Sequence, residues 1–204
     1  MTRPNVVPSG KEELLPHIYY STRRIASGTN LQNTEHRFFN YVVGQTIDGI
    51  VATEQDTNIK KTNAVEQPNR FWLKSIDISL LFSLAGGSDL TFGKDSRENS
   101  GKNLLYGYGT NPDGLIPNSL FVLNVANKEK LIVPLDLLVA PTQISPERFQ
   151  RVYKIFTLQN AELLFPEITF DPKIKIGGDI DSSFGDDLRI VLRFHGHLVR
   201  LADM

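Results

Sequence analysis

The chain reads as an all-β protein: an antiparallel β-sandwich, with a single jelly roll expected, one short helix and an extended N-terminal arm. Three observations predict this. Leu188 to Leu201 is a two-faced strand, because side chains alternate with period two. Leu188, Ile190, Leu192, Phe194 and Leu198 fall on one face, and Arg189, Arg193, His195 and His197 on the other. Phe71 to Leu84 repeats the pattern, with Ile76, Ile78, Leu80, Phe82 and Leu84 opposite Ser75, Asp77, Ser79 and Ser83. Finally, the strand–helix units of about 30 residues that build a parallel nucleotide-binding sheet do not occur.

The 204 residues suffice for one self-sufficient core. We divide them into an arm over 1–35 and a sandwich domain over 36–204. The arm holds three prolines and only a short apolar group, Leu14, Leu15 and Ile18 to Tyr20. Arg37 to Val43 is the first expected strand, ended by Gly44, and Asp48 to Asn69 reads as a long polar surface loop with at most a short strand. After Phe71 to Leu84, Gly93 to Asn118 reads as loops and turns. Leu120–Val125 and Leu131–Val139 form a hairpin around the polar segment 126–130. Ser145-Pro146-Glu147 has the make-up of a helix start, and Phe149, Val152, Tyr153 and Phe156 continue at helical spacing. Short strands are expected over Ala161–Phe165, Glu167–Phe170 and Lys173–Ile176, then a loop over 177–187, then the closing strand.

Composition excludes several chemistries. There is no cysteine, hence no disulfide, cysteine nucleophile or cysteine-based zinc site. A formal net charge of −1 supplies no global attraction to nucleic acid or an anionic membrane. The first residues lack the apolar core of a secretion signal, and no apolar run nears the roughly 18 residues of a spanning helix. A protein made and folded in a cytoplasm is the expectation.

Candidate chemistry is sparse. His195 and His197 share a strand face and are the candidate metal pair, but a third ligand is not evident, since the next acid is Asp203. The competing reading is a plain polar strand face. Arg189 and Arg193 extend that face into a cationic strip for a neighbouring subunit or for local acids. Asp179, Asp181, Asp186 and Asp187 lie in an oxygen-rich loop suited to calcium, although the spacing departs from an EF-hand. Tyr106, Tyr108 and Trp72 are candidates for stacking on sugar rings, and equally for a subunit interface. The Gly86–Asp95 segment fails the phosphate-loop pattern, and no catalytic residue or cofactor is assigned.

The layout of the Met1–Asn33 arm, the lead-in from Phe39 through Asn69, Phe71–Leu84 and Ile190–Leu201 resembles jelly-roll capsid proteins of viruses and phages. The resemblance implies a non-enzymatic virion structural protein, made in a host cytoplasm, whose partners are itself and other virion proteins. The arm carries Arg3, Lys11, Arg23 and Arg24 against Glu12, Glu13 and Glu35, so it departs from the strongly basic, genome-binding kind. Leu14, Leu15, Ile18 and Tyr19, with Arg189 and Arg193, are the expected interface. The alternatives are a carbohydrate-binding or host-attachment module around Tyr106, Tyr108 and Trp72, and a metal-dependent jelly-roll enzyme using His195 and His197.

Overall fold

The computed structural model describes residues 12–26, 28–47, 50–83, 115–139, 144–145, 148–149, 155–178 and 187–201. Eight principal strands carry the fold: β1 (Glu12–Ile25), β2 (Glu35–Arg37), β3 (Arg70–Ser83), β4 (Ser119–Val125), β5 (Lys128–Pro134), β6 (Phe156–Leu164), β7 (Phe170–Ile176) and β8 (Asp187–Leu201). The first sheet has the order β1-β8-β3-β6 and the second β2-β7-β4-β5. All pairings within both are antiparallel. Strand pairs 4·5, 3·6, 2·7 and 1·8 are therefore the rungs of one long hairpin, taken alternately into the two sheets. The expected antiparallel sandwich is what the chain forms.

The core lies between the sheets. Leu73, Ile76, Ile78, Leu188, Ile190, Leu192 and Phe194 enter it from the first sheet, and Phe121, Leu123, Phe170 and Ile174 from the second. Phe39 joins the two, its ring 5.6 Å from Phe170 and 5.0 Å from Phe194. It does so from a left-handed backbone, φ 57°, which is costly for a bulky residue. The Phe39 amide donates to Ser21 Oγ at 2.9 Å, and its carbonyl accepts from the Asn63 amide at 2.7 Å, which holds that geometry in place.

Four expectations are corrected. Residues 12–25 are not an arm: β1 pairs with β8 over its whole length and buries Tyr19, Ser21, Thr22 and Ile25. Its sequence hides this, since the doublets Leu14-Leu15 and Tyr19-Tyr20 put apolar groups on both faces. The strand expected over Arg37–Val43 stops at Arg37, and Phe38 and Phe39 instead turn fully into the core. The 48–69 loop is not merely superficial: Asp56, Thr57, Ile59, Ala64 and Val65 are buried, and Thr57 bridges to Ser21 at the edge of the first sheet. The helix expected from Ser145 gives way to a small hairpin, in which Ile144 pairs with Phe149 and Ser145 with Arg148. Serine followed by proline suits a turn as well as a helix start. The remainder of that expected helix up to residue 154 lies outside the described residues. Among the described residues the one helical turn is a 3₁₀ turn at Leu135–Leu137.

Candidate functional site

The outer face of the first sheet gathers five of the residues that the sequence singled out: Arg189, Arg193, His195, His197 and Trp72. On β8 the inner positions are Leu188, Ile190, Leu192 and Phe194, all buried. Arg189, Arg193, His195 and His197 therefore point outward. On β3 the alternation slips once. His195 pairs with Ser75 and Gly196 pairs with Leu73, so Lys74 is an extra residue, a β-bulge. The slip keeps Phe71 and Leu73 inside with Ile76 and Ile78, and sets Trp72 outside, opposite His197. The close approach demands glycine at 196: a Cβ there would meet the Trp72 carbonyl oxygen at 1.8 Å.

Asp77 organises the middle of this face. Its carboxylate is buried although it stands on the outer side. Oδ1 accepts from Arg193 Nη1 at 2.8 Å, and Oδ2 lies 2.5 Å from His195 Nε2. The same Arg193 nitrogen donates to Ser79 Oγ at 2.7 Å. Both oxygens of Asp77 are thus engaged, and the guanidinium is turned onto its own sheet. Ser75 stands opposite His195 in register, but its hydroxyl makes no hydrogen bond to the imidazole among the described residues.

A second carboxylate anchors the strap that follows β2. Asp56 accepts from the Thr53 amide and hydroxyl at 3.0 and 2.9 Å and from Arg24 Nη2 at 2.7 Å. Arg189 Nη2 stands 3.4 Å from it and donates to the Gln55 carbonyl at 2.7 Å. Burial pushes the Asp56 carboxyl up, but the hydrogen bonds from Thr53 and Arg24 outweigh it and hold the group below its ordinary range. Burial lowers the Arg189 guanidinium, partly offset by Asp56. The strap continues the first sheet past β1: the Thr22 amide donates to the Asp56 carbonyl at 2.8 Å, and the Asn58 side chain bridges the Tyr20 amide and the Ile18 carbonyl at 2.8 and 2.7 Å.

The histidine pair does not converge. His195 is tied to Asp77, whereas His197 Nδ1 is buried without a hydrogen-bond partner. Burial, with Lys74 nearby, lowers the His197 pKa. No cluster of three or more His, Asp or Glu side chains able to hold a metal occurs among the described residues. A third imidazole, His17, pairs in register with Gly196 and packs against Tyr19 with ring centroids 4.5 Å apart, its pKa also lowered by burial.

Of the expected interface residues, Leu14 and Leu15 are each 37% exposed and Ile18 44%. Tyr19 is a correction: it is buried in the core, its ring 4.9 Å from Phe71, and burial with Glu66 raises its hydroxyl to about 12. Arg189 and Arg193 are engaged within the chain, as described. Asp179, Asp181, Asp186, Tyr106, Tyr108 and the Gly86–Asp95 segment lie outside the described residues, and Asp187 is placed by its backbone alone, at the start of β8.

Sequence reasoning overlooked Asp56, Asp77, His17 and Gly196. Gly196 did carry a signal, since glycine inside a strand marks a bulge or a close backbone approach. Among the described residues, no helix is long and apolar enough to cross a membrane. The chain matches no family model, no curated protein and no solved structure.

Proposed function

We propose that the chain is a non-enzymatic structural subunit that self-assembles, a single jelly roll of the kind that builds virion shells. Two features support this reading. The strand orders 1-8-3-6 and 2-7-4-5 are those of an eight-stranded hairpin rolled into two sheets, the arrangement of jelly rolls. That fold also serves lectins and enzymes, so the surface has to carry the functional step.

The observation that carries it is the distribution of exposed apolar side chains. Singly scattered ones are ordinary, but grouped ones mark contact sites. Among the described residues, nine of the ten fall into three groups, and Ile155 stands apart. Leu14 and Ile18 lie on the outer face of β1, and Leu15 is exposed on the other face of the same strand. Val43, Ile50 and Val51 come together where the Gly44 amide donates to the Ala52 carbonyl and the Ala52 amide to the Gln45 carbonyl. Leu120 and Ile132 lie on the outer face of the second sheet, with Leu137 beyond β5. A closed dimer needs one self-complementary patch, whereas rings and shells need several different ones. Three patches on different elements favour the latter.

Mass measurement in solution with electron microscopy of the same sample tests the proposal. Rings, capsomers or shells are expected. A compact monomer persisting at high concentration overturns it.

A further inference from the structure

We infer that the strap over residues 53–58 is an autoinhibitory cover, which occupies the edge of β1 where the same edge of a second copy would otherwise pair as a strand. This guarded contact is separate from the three exposed patches and stands without the self-assembly reading.

The strap imitates a fifth strand. Ser21 and Thr57 form an antiparallel bridge, in which the Thr22 amide donates to the Asp56 carbonyl at 2.8 Å and the Asn58 amide to the Tyr20 carbonyl at 3.4 Å. Past that bridge the Asn58 side chain takes over. Its Oδ1 accepts from the Tyr20 amide at 2.8 Å and its Nδ2 donates to the Ile18 carbonyl at 2.7 Å, the acceptor and donor that a neighbouring strand would present there. Tyr41 Oη closes the other end by donating to the Thr22 carbonyl. From the Ile18 carbonyl to the Thr22 carbonyl, every edge-facing backbone group has a partner.

The covered stretch is the part of β1 most disposed to pair. Ile18, Tyr19, Tyr20 and Thr22 are strand formers, and residues 18–22 include no proline and no charge. Outside that stretch β1 carries Glu12, Glu13, Pro16, Arg23 and Arg24, which blunt an edge by themselves. β5, at one edge of the second sheet, relies on the same means, with Lys128, Glu129, Lys130 and Pro134. Charge and proline guard those edges. At 18–22 the strap does.

Register selects a second copy. About a two-fold axis at Ser21, perpendicular to the sheet, Tyr20 faces Thr22 of the mate and Ile18 faces Arg24. All of these keep an N–H, and the edge-facing groups alternate alike on both copies, so every rung from 18 to 24 can close in the antiparallel sense. Pro16, which has no N–H, falls beyond the last rung. Arg23 and Arg24 face Tyr19 and Ile18, so no two charged residues of β1 are brought opposite one another.

The chain has no native cysteine, so single-cysteine variants report the contact through a short bis-maleimide. Across the axis the two Tyr20 positions come within about 8 Å, and the two Leu14 positions lie about 45 Å apart. Tyr20→Cys is expected to cross-link into dimers about tenfold faster or more when Asp56→Ala and Asn58→Ala release the strap than when the strap is intact. Leu14→Cys, at a position 37% exposed, is expected to show no such gain. Should the released chain fail to fold by circular dichroism, Asn58→Ala alone decides. It uncovers only Ile18 and Tyr20, and a smaller gain of the same sign is expected. No gain for Tyr20→Cys in a folded chain with the strap released overturns the inference, and so does an equal gain for Leu14→Cys. Either failure leaves association through the exposed patches untouched.

Discussion

A Cβ on Gly196 would stand 1.8 Å from the carbonyl oxygen of Trp72. The obstacle is backbone, not the end of a flexible side chain, so either β8 or β3 must move. The same point is where Lys74 is squeezed out of the ladder and Trp72 is aimed outward. Gly196→Ala is expected to cost at least about 3 kcal/mol, the upper range of overpacking. Gly44 offers the contrast: nothing lies within 4 Å of its would-be Cβ, but φ is +88°. Gly44→Ala is expected to cost about 1 kcal/mol, from backbone strain alone. Urea unfolding of both variants checks the order, and near-equal losses would refute it.

Asp77 gives the second prediction. Removing its carboxylate leaves Arg193 and His195 without their shared acceptor, at side-chain exposures of 28% and 24%. Breaking a fully buried pair costs about 3–5 kcal/mol, and the partial exposure here reduces that to about 2 kcal/mol. Asp77→Ala should therefore shift the denaturant midpoint well below that of the parent. Arg193→Ala should then add little in the Asp77→Ala background, because its carboxylate partner is already gone and only the bond to the neutral Ser79 Oγ is left to lose. Independent, additive losses would show that the two do not act together.

What was legible in the sequence follows from the physics of each element. β3 and β8 are half-buried strands, so alternation marked Ile76, Ile78, Leu188, Ile190, Leu192 and Phe194 as core, and all are buried. β1 was missed because its residues face a sheet on one side and a strap or solvent on the other, which blurs the alternation. Asp77 read as one polar residue among serines, because its bond to His195 depends on a register between strands 118 residues apart. Asp56 was hidden for the same reason: Arg189 is 133 residues away. Leu14, Leu15 and Ile18 were recognised as exposed apolar groups, although the element holding them was not.

Asp56 supports a third prediction. Its carboxylate holds Thr53, Arg24 and Arg189 together, fixing the strap whose backbone continues the first sheet past β1. Asp56→Ala should release that strap and leave the Arg189 guanidinium, whose Nε is already buried without a partner, still less satisfied. We expect faster hydrogen exchange at the Thr22 and Asn58 amides, with the β4–β5 ladder unchanged. Uniform loss of protection in both sheets would mean that the strap is not a separate unit.

Acid should loosen the fold through two imidazoles. His17 and His197 both have pKa values lowered from 6.5, chiefly by burial. A folded value below the unfolded one means that the unfolded chain binds protons first. The stability these groups contribute is thus present above 6.5 and lost as pH falls through their lowered values. Glu35 and Asp56, lowered from 4.5 and 3.8, add their loss only at more acid pH. Stability measured between about pH 7 and pH 5 should fall, and the double variant His17→Gln, His197→Gln should flatten that fall. An unchanged slope in the double variant would assign the acid sensitivity elsewhere.

The β4–β5 hairpin predicts a gain. Its two-residue turn is Ala126-Asn127, with φ values of 53° and 60°. Both positions are left-handed, as a turn matched to the twist of the flanking strands requires, and such turns favour Asn-Gly. Alanine has no side-chain hydrogen bond to offset its strain there, and the Cβ of Asn127 is tolerated at a cost that glycine avoids. The Ala126 amide donates to the Thr169 carbonyl at 3.0 Å, so any replacement must keep its N–H. Ala126→Asn with Asn127→Gly keeps it. The pair should stabilise the chain by about 1 kcal/mol and raise Tm by about 3 °C. Because the turn joins the two strands at the closed end of the rolled hairpin, the gain should also slow unfolding of β4 and β5 in hydrogen exchange. A lower Tm would mean that Ala126 serves a contact outside the turn, and that the strain at φ 53° is not what limits this hairpin.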